Sequence, residues 1–173
     1  MAGDGRNEAS HRRERVVDHP AIQDRFLRNN YCWGCGQCND HGLKIKSYWP
    51  GEEAVSTWEP EPYHAAGPEN VVNRGIVATL MDCHSACTAM AAAYQSEDRE
   101  IGTEPHIWCA TAHLEVTYLR PTPLGEPISL QAHVKEMGER KIIVSCSVSA
   151  NGEECARGKV VAVRVPPEWA QGE

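Results

Sequence analysis

Apolar residues recur at helical spacing in one long segment near the middle of the chain. In GIVATLMDCHSACTAMAAAY, good helix formers surround apolar residues that are three or four positions apart, the period of one face of an α-helix. Those residues are Ile76, Leu80, Cys83, Cys87 and Ala91. Only Asp82 and His84 interrupt the apolar character. The pattern predicts a long helix that begins near Gly75 and is enclosed by other structure.

The C-terminal half changes to a period of two, which is typical of β-strands with one buried face. The apolar faces of three successive segments are Ala112, Leu114, Val116 and Tyr118, then Ile128, Leu130, Ala132 and Val134, then Ile142, Val144, Cys146 and Val148. The dipeptide Asn151-Gly152 is a hairpin signal, and the segment CARGKVVAVRV follows it. About four consecutive antiparallel strands are therefore predicted.

Two shorter strands are predicted before the long helix. Residues 43–49 roughly alternate apolar and polar side chains, and Ala54–Trp58 is expected to pair with them across the turn at Pro50 and Gly51. The order is then two strands, one long helix and about four strands. This order predicts an α+β domain in which an antiparallel sheet of about six strands wraps around one long central helix.

The N-terminal part of the chain divides into a tail and a short helix. Residues 1–17 are polar and highly charged, so we expect a mobile tail, and residues 18–170 are predicted to form a single domain. In DHPAIQDRFLRN, Asp18 is predicted to cap a short helix with Pro20 in its first turn. Its buried side is expected to consist of Ile22, Phe26 and Leu27.

Charge and composition exclude several classes of partner. The net charge of −7 gives no general electrostatic reason to bind nucleic acid or an anionic membrane. No run approaches the roughly 18 consecutive apolar residues of a membrane span, and the N-terminus lacks the apolar segment of a secretory signal. The eight cysteines are interpreted as reduced thiols. We therefore expect a cytoplasmic protein with no nucleic-acid or membrane partner.

Three segments, CWGCGQCNDHGLKIK, YHAAGPENVVNRGIVATLMD and AHLEVTYLRPTPLGEPI, carry a resemblance to a known family. Together with the order of elements, they resemble the PaaI-like hotdog thioesterase superfamily over about residues 30–165. Its members show a Cys-x-Gly-Cys turn before a Gly-Leu strand. They also have a His-Gly-Gly-like helix start followed by an acidic residue, and an Arg-Pro after a central strand.

The resemblance implies both an activity and an assembly. The family hydrolyses acyl-CoA thioesters to the free acid and CoA, and it uses neither a metal nor an organic cofactor. Its members are homo-oligomers, dimers or dimers of dimers, whose sheets join edge to edge. The active site is then expected at the interface, between the helix start of one subunit and the helix of the other.

The helix supplies the predicted reaction centre. An ionised carboxylate on an apolar helix is costly to bury without a purpose, and Asp82 matches the family acid that acts as nucleophile or general base. The Gly75 amide is expected to stabilise negative charge on the thioester oxygen. The usual His-Gly-Gly is Asn73-Arg74-Gly75 here. Asn73 is predicted either to donate to the thioester carbonyl or to be only a helix N-cap.

Four further residues are candidates for substrate contacts. His64 matches a family histidine in a His-x-x-Gly-Pro stretch and is a catalytic candidate, although a structural role is the alternative. Arg120 matches the family Arg-Pro position and is expected to hold pantetheine or phosphate. Arg140 and Lys141 lie on a turn between strands and are possible phosphate contacts. For these three cations, ordinary solvated charge is the alternative.

The cysteine-rich turn permits two interpretations. Cys32, Cys35, Cys38 and His41 offer ligand types suited to zinc. However, structural zinc sites usually come as two separated pairs, and the family uses its first two cysteines as a packed turn without metal. No metal is therefore expected, while metal binding by these four residues is left open.

Two other functions on the same fold stay open. A non-catalytic protein that binds acyl-CoA is the first, because Arg74 either binds the ligand or obstructs it. An enoyl-CoA hydratase or dehydratase is the second, with His64 as the only histidine placed for that chemistry. A triad of Asp82, His84 and Ser85 is a weak alternative because adjacent helix positions point in different directions. Fold alone does not decide among these functions.

Overall fold

The computed structural model describes residues 20–170 of the chain. The predicted tail, residues 1–17, and the predicted cap residue Asp18 lie outside this range, and the single domain over residues 18–170 stays a prediction. In chain order the elements are α1 (Ile22–Phe26), β1 (Ala54–Trp58), a 3-10 turn (Pro62–His64), α2 (Arg74–Ser96), β2 (Trp108–Tyr118), β3 (Ile128–Met137), β4 (Lys141–Ala150), β5 (Glu153–Val165) and α3 (Pro167–Ala170).

One antiparallel sheet packs against the long helix α2. Its five strands are ordered β1-β3-β4-β5-β2, and α2 contacts every one of them. The buried faces of β3 and β4 follow the predicted alternation, with Ile128, Leu130, Ala132, Ile142, Val144, Cys146 and Val148 all in the core. The expected α+β hotdog arrangement is therefore confirmed, with five strands rather than about six.

The strand predicted over residues 43–49 is wrong, and this accounts for the missing sixth strand. Only Tyr48 pairs with β1, through a single bridge to Val55. Lys44 has a positive φ of 52°, which interrupts an extended conformation. The backbone of this segment instead bonds to the cysteine-rich turn, where Leu43 N–H donates to Trp33 O at 2.8 Å and Ile45 N–H to Gly34 O at 3.1 Å.

The edge strand β2 departs from simple alternation. A bulge between Thr111 and His113 shifts the register against β5. A bulge reverses which face each later residue occupies, so Ala112 is exposed while Leu114 and Val116 are half-buried. Of the predicted buried face, only Leu114 and Val116 point inward, whereas Ala112 at the bulge and Tyr118 at the end of the strand are exposed.

The two helices also refine the predicted boundaries. Helix α1 begins at Ile22, and Ala21 occupies its N-cap without a side-chain bond, so Pro20 precedes the helix rather than lying in its first turn. Helix α2 is long and apolar enough to cross a membrane by length and composition. However, 78% of its most apolar window is buried inside the fold, which is the environment of a core helix.

Candidate active site

One stripe of α2 is left accessible by the sheet. From Ile76 to Tyr94 every residue is buried except Ala78, Thr79, Asp82 and Ala86. These positions continue at helical spacing from Gly75, which is exposed. We call Gly75, Ala78, Thr79, Asp82 and Ala86 the α2 stripe. It is a narrow path of small and polar residues that begins at the helix N-terminus and carries one acidic group.

Asp82 is the only ionisable residue of the α2 stripe. Its Oδ1 atom is buried and has no hydrogen-bond partner among the described residues. Buried polar atoms in native proteins nearly always have a partner, since an unpaired one costs free energy. The carboxylate therefore has a vacant accepting position that a water molecule or a substrate group can fill.

Asn73 caps the start of α2. The Gly75 N–H donates to Asn73 Oδ1 at 2.8 Å, and the N–H groups of Ile76 and Val77 donate to Asn73 O at 3.0 and 3.2 Å. Two of the four amides that a helix start leaves free, those of Gly75 and Ile76, are thus satisfied by Asn73, whose carbonyl also accepts the first regular helical bond from Val77. The Nδ2 group of Asn73 is without a hydrogen-bond partner among the described residues, and the side chain is exposed.

Tyr118 fixes the residue between Asn73 and Gly75. Its hydroxyl donates to Arg74 O at 2.9 Å, and the Arg74 guanidinium lies 5.6 Å from the centre of its ring. The end of β2 is thereby connected to the start of α2. Sequence reasoning placed Tyr118 only on a strand face, because the contact depends on where β2 ends relative to the helix.

His64 adjoins the helix start through its backbone. Its carbonyl oxygen accepts from Asn73 N–H at 2.9 Å, while its Nδ1 accepts from Glu61 N–H at 2.8 Å. Burial lowers the pKa of His64 although Glu61 lies nearby, and the ring packs 4.8 Å from that of Trp58. The imidazole is therefore neutral near pH 7, with its proton on Nε2.

The three candidate CoA-binding cations do not lie together. Arg120 forms an ion pair with Glu153 at 2.7 Å. Tyr118, two residues before Arg120, pairs with Ala156 of β5, whereas Lys141 pairs with Val163 of the same strand. Ala156 and Val163 are seven residues apart, which corresponds to about 23 Å along β5 at 3.3 Å per residue. Arg140 and Lys141 therefore lie at the end of the sheet away from the start of α2.

Asp82 and Gly75 are also too far apart to contact the same atom. Seven residues separate them on α2, which corresponds to about 10 Å along the helix axis at 1.5 Å per residue. A thioester oxygen bound at the Gly75 amide of one chain is therefore out of hydrogen-bond reach of the Asp82 carboxylate of that same chain. Within one chain, the Gly75 amide and the Asp82 carboxylate therefore cannot contact the same substrate atom.

The four residues of the cysteine-rich turn for which metal binding was left open, Cys32, Cys35, Cys38 and His41, do not come together. The sulfur atoms of Cys32 and Cys35 instead lie within 4.8 Å of that of Cys83 on α2, and this thiol cluster does not include Cys38 or His41. The sulfur of Cys38 instead contacts Arg28 O at 3.4 Å. Cys83 belongs to that cluster. Its place in the helical pattern of apolar residues indicates only a core residue.

Known proteins are similar to this chain over most of the described fold. The family model described as thioesterase superfamily matches residues 69–156, which include α2 and β2 to β4. A thioesterase superfamily protein from Shewanella loihica is 37% identical, with 74% of this chain and 96% of that one aligned at a TM-score of 0.59. The chain has no significant match among curated protein sequences.

Two more distant solved structures share the fold. The Escherichia coli PaaI protein, from the phenylacetic acid degradation operon, is 16% identical, with 72% of this chain and 81% of that one aligned at a TM-score of 0.59. A Streptococcus mutans protein bound to acetyl-CoA is also 16% identical, with 66% and 82% aligned at a TM-score of 0.53.

Proposed function

The chain belongs to the thioesterase superfamily, and we propose that it hydrolyses an acyl-CoA thioester to the free acid and CoA. The observation that carries this proposal is the buried Oδ1 of Asp82 on the accessible α2 stripe, which has no hydrogen-bond partner within residues 20–170. An acyl-CoA is the substrate proposed because the family implies it and because a relative of the same fold holds acetyl-CoA.

Asp82 acts as the general base or as the nucleophile. As a base, its carboxylate takes a proton from water, the resulting hydroxide bonds to the thioester carbon, and the C–S bond breaks to release the CoA thiolate. As a nucleophile, its oxygen bonds to that carbon, the C–S bond breaks to release the CoA thiolate, and water then hydrolyses the mixed anhydride to the free acid and the Asp82 carboxylate. Neither route needs a metal or an organic cofactor, because a thiolate is already a good leaving group.

The start of α2 provides the oxyanion site. When the thioester oxygen arrives, it replaces Asn73 Oδ1 as the acceptor of the Gly75 N–H, and the freed side chain can turn its Nδ2 group toward the same oxygen. Partial positive charge at the helix N-terminus adds to this stabilisation. His64, through its carbonyl contact with Asn73, positions the loop that leads into the helix.

The complete site forms between two subunits. Because about 10 Å of helix separates Gly75 from Asp82 within one chain, the oxyanion amide of one protomer is proposed to act with Asp82 of its partner. The protein is therefore proposed to be a homodimer or a dimer of dimers. Arg140 and Lys141 are remote from the α2 start of their own chain, so they are proposed to contact the CoA phosphates only in a partner's site. Arg120 lies at the same end of the sheet as the α2 start of its own chain.

The proposal is tested by thiol release from short, long and aromatic acyl-CoAs, with wild type compared with Asp82→Asn. We expect turnover of at least one class by wild type and a loss of at least about 100-fold in the variant. Glu115→Gln, on the exposed face of β2, removes an acidic group outside the site and serves as the control. No turnover of any class by the folded wild type contradicts hydrolysis.

A binding protein without turnover is the second candidate. The observation that favours it is the existing bond between Gly75 N–H and Asn73 Oδ1, which occupies the amide expected to hold the oxyanion. Such a protein would bind acyl-CoA and its unreactive thioether analogue with the same affinity, and Asp82→Asn would leave both affinities unchanged.

The proposed location is the cytoplasm. All eight cysteines are free thiols, which is the state that a reducing compartment maintains.

A further inference from the structure

Three thiols converge between the cysteine-rich turn and α2. The sulfur atoms of Cys32, Cys35 and Cys83 all lie within 4.8 Å of one another, and the distance from Cys32 Sγ to Cys83 Sγ is 3.7 Å. Tetrahedral zinc with Zn–S bonds of about 2.3 Å requires neighbouring sulfur atoms about 3.8 Å apart. The observed separation fits one edge of that tetrahedron and is far longer than a disulfide bond of about 2.05 Å.

A fourth thiol stands beside this cluster. Cys87 follows Cys83 by one helical turn on the buried face of α2, so both thiols lie on the same side of the helix. The four thiols therefore form two separated pairs, Cys-x2-Cys on the turn and Cys-x3-Cys on the helix. Two pairs of this spacing from different elements are the usual ligand arrangement of a structural zinc site.

Two glycines allow the turn to approach the helix this closely. At Gly34, an added Cβ would lie 2.3 Å from Cys83 Sγ. At Gly36, it would lie 2.4 Å from the backbone nitrogen of Cys32, where the Gly36 N–H closes the turn on Cys32 O at 2.8 Å. The tight turn holds Cys32 and Cys35 toward α2.

Side-chain amides surround the sulfur atoms with donors. Asn30 Nδ2 donates to Cys35 Sγ at 3.4 Å, and Gln23 Nε2 donates to Cys87 Sγ at 3.3 Å. Donors of this kind stabilise thiolates, and they are the usual outer contacts of metal ligands.

We propose that Cys32, Cys35, Cys83 and Cys87 bind one Zn²⁺ ion that joins the cysteine-rich turn to α2. Binding releases the thiol protons and leaves four Zn–S bonds. Cys32 is exposed and provides the route of access. The site is structural and separate from hydrolysis, because its helical ligands lie on the buried face of α2 whereas Asp82 lies on the α2 stripe.

The test uses Co²⁺ as a spectroscopic probe on reduced protein that has been treated with a chelator. We expect wild type to bind about one Co²⁺ per chain with sulfur-to-cobalt charge-transfer absorption, and Zn²⁺ to displace it. Cys32→Ser and Cys87→Ser should each weaken binding by at least about 10-fold. Cys38→Ser removes an exposed thiol of the same segment that lies outside the cluster, so it should bind as wild type does.

Three results overturn the proposal. The first is wild type without charge-transfer absorption, and the second is Cys38→Ser weakened as much as Cys32→Ser. The third is loss of the cluster thiols to a disulfide during purification with no metal retained. Because Cys32 is exposed, Cys32→Ser should keep the wild-type circular dichroism spectrum, which separates lost metal binding from misfolding. Asp82→Asn should bind Co²⁺ as wild type does, so failure of the proposed hydrolysis leaves this test intact.

Discussion

The Gly75 amide N–H donates a hydrogen bond to Oδ1 of Asn73 at 2.8 Å. The group that is proposed to hold the oxyanion is therefore already satisfied by a helix cap. Such a cap contributes about 1 kcal/mol, and a hydrogen bond to an ionised oxygen is roughly twice as strong as one between neutral groups. A developing oxyanion can consequently displace the Asn73 side chain.

Substitution of Asn73 by Asp separates capping from catalysis. Asp caps a helix as well as Asn does, so the melting temperature of Asn73→Asp should equal that of wild type. Its carboxylate lacks the Nδ2 donor and repels the oxyanion, so kcat should fall about 100-fold. Thermal unfolding and thiol release measure the two effects.

Asn73→Ala is the matched comparison. It removes the cap and should lower the free energy of unfolding by about 1 kcal/mol. An Asn73→Asp protein that turns over at the wild-type rate would leave Asn73 as a helix cap and nothing more.

Asp82→Asn should cost little or no stability. Because Oδ1 of Asp82 is buried without a partner in the described fold, replacing the carboxylate by an amide of the same shape removes an uncompensated negative charge. The free energy of unfolding from urea titration should stay within about 0.5 kcal/mol of wild type or rise. A loss of more than about 2 kcal/mol would mean that the carboxylate supports the fold.

His84 makes the stability of the protein sensitive to acid. It is fully buried in α2, where its Nε2 donates to Ala54 O at 3.2 Å and its Nδ1 accepts from Ser47 Oγ at 2.9 Å. Ser47 in turn bonds to Gln23, so the groups that face the ring from β1, α1 and the segment between them are uncharged. Burial lowers the pKa of His84 to about 4.

The sign of the resulting pH dependence follows from the protons bound. Between pH 6.5 and 4 the unfolded chain carries a proton at His84 that the folded chain excludes, so stability is complete above pH 6.5 and decreases as the pH falls. From pH 6.5 to 5 the loss at this residue should be about 2 kcal/mol. Urea titrations should show this slope in wild type and a shallower one in His84→Gln. Equal slopes would contradict the assignment.

Gly34 should tolerate no side chain. A Cβ at this position would lie 2.3 Å from Cys83 Sγ and 2.8 Å from Thr79 Cγ2, so Gly34→Ala must push the turn away from α2. We expect a loss of about 1–3 kcal/mol in the free energy of unfolding. Gly67→Ala is the control because nothing lies within 4 Å of the added atom. Equal stability of the two variants would show that the turn is not packed against the helix.

The spacing of apolar residues was sufficient to predict the elements in which the pattern of buried positions continues without interruption. Helix α2 is buried nearly all round, and the apolar positions of β3 and β4 alternate over most of each strand, so spacing alone located them. Residues 43–49 show a similar alternation, yet their backbone bonds to the turn at Trp33 and Gly34. An extended loop and a strand bury side chains alike, and only the bonding partner distinguishes them.

Some residues of the candidate site can be predicted from the sequence and others cannot. Asp82 is visible in the sequence because a carboxylate interrupts an apolar helix. Tyr118 and the pairing of Cys83 with Cys32 are not visible, because each contact joins segments more than 40 positions apart. Arg140 and Lys141 show the opposite case, in which the sequence suggests a shared role that the fold separates. They look equivalent to Arg120 in the sequence, but they lie at the opposite end of the sheet.

A mixed oligomer tests most directly whether hydrolysis uses Asp82 of one subunit with the helix start of another. Asp82→Asn and Asn73→Asp chains with different affinity tags are produced together, and the species that carries both tags is purified. In a mixed dimer, one of the two sites combines an intact Asp82 with an intact Asn73.

We predict that each parent homo-oligomer releases little thiol from acyl-CoA, while the mixed dimer recovers about half of the wild-type rate. A mixed dimer that is no more active than its parents would contradict a site shared between subunits.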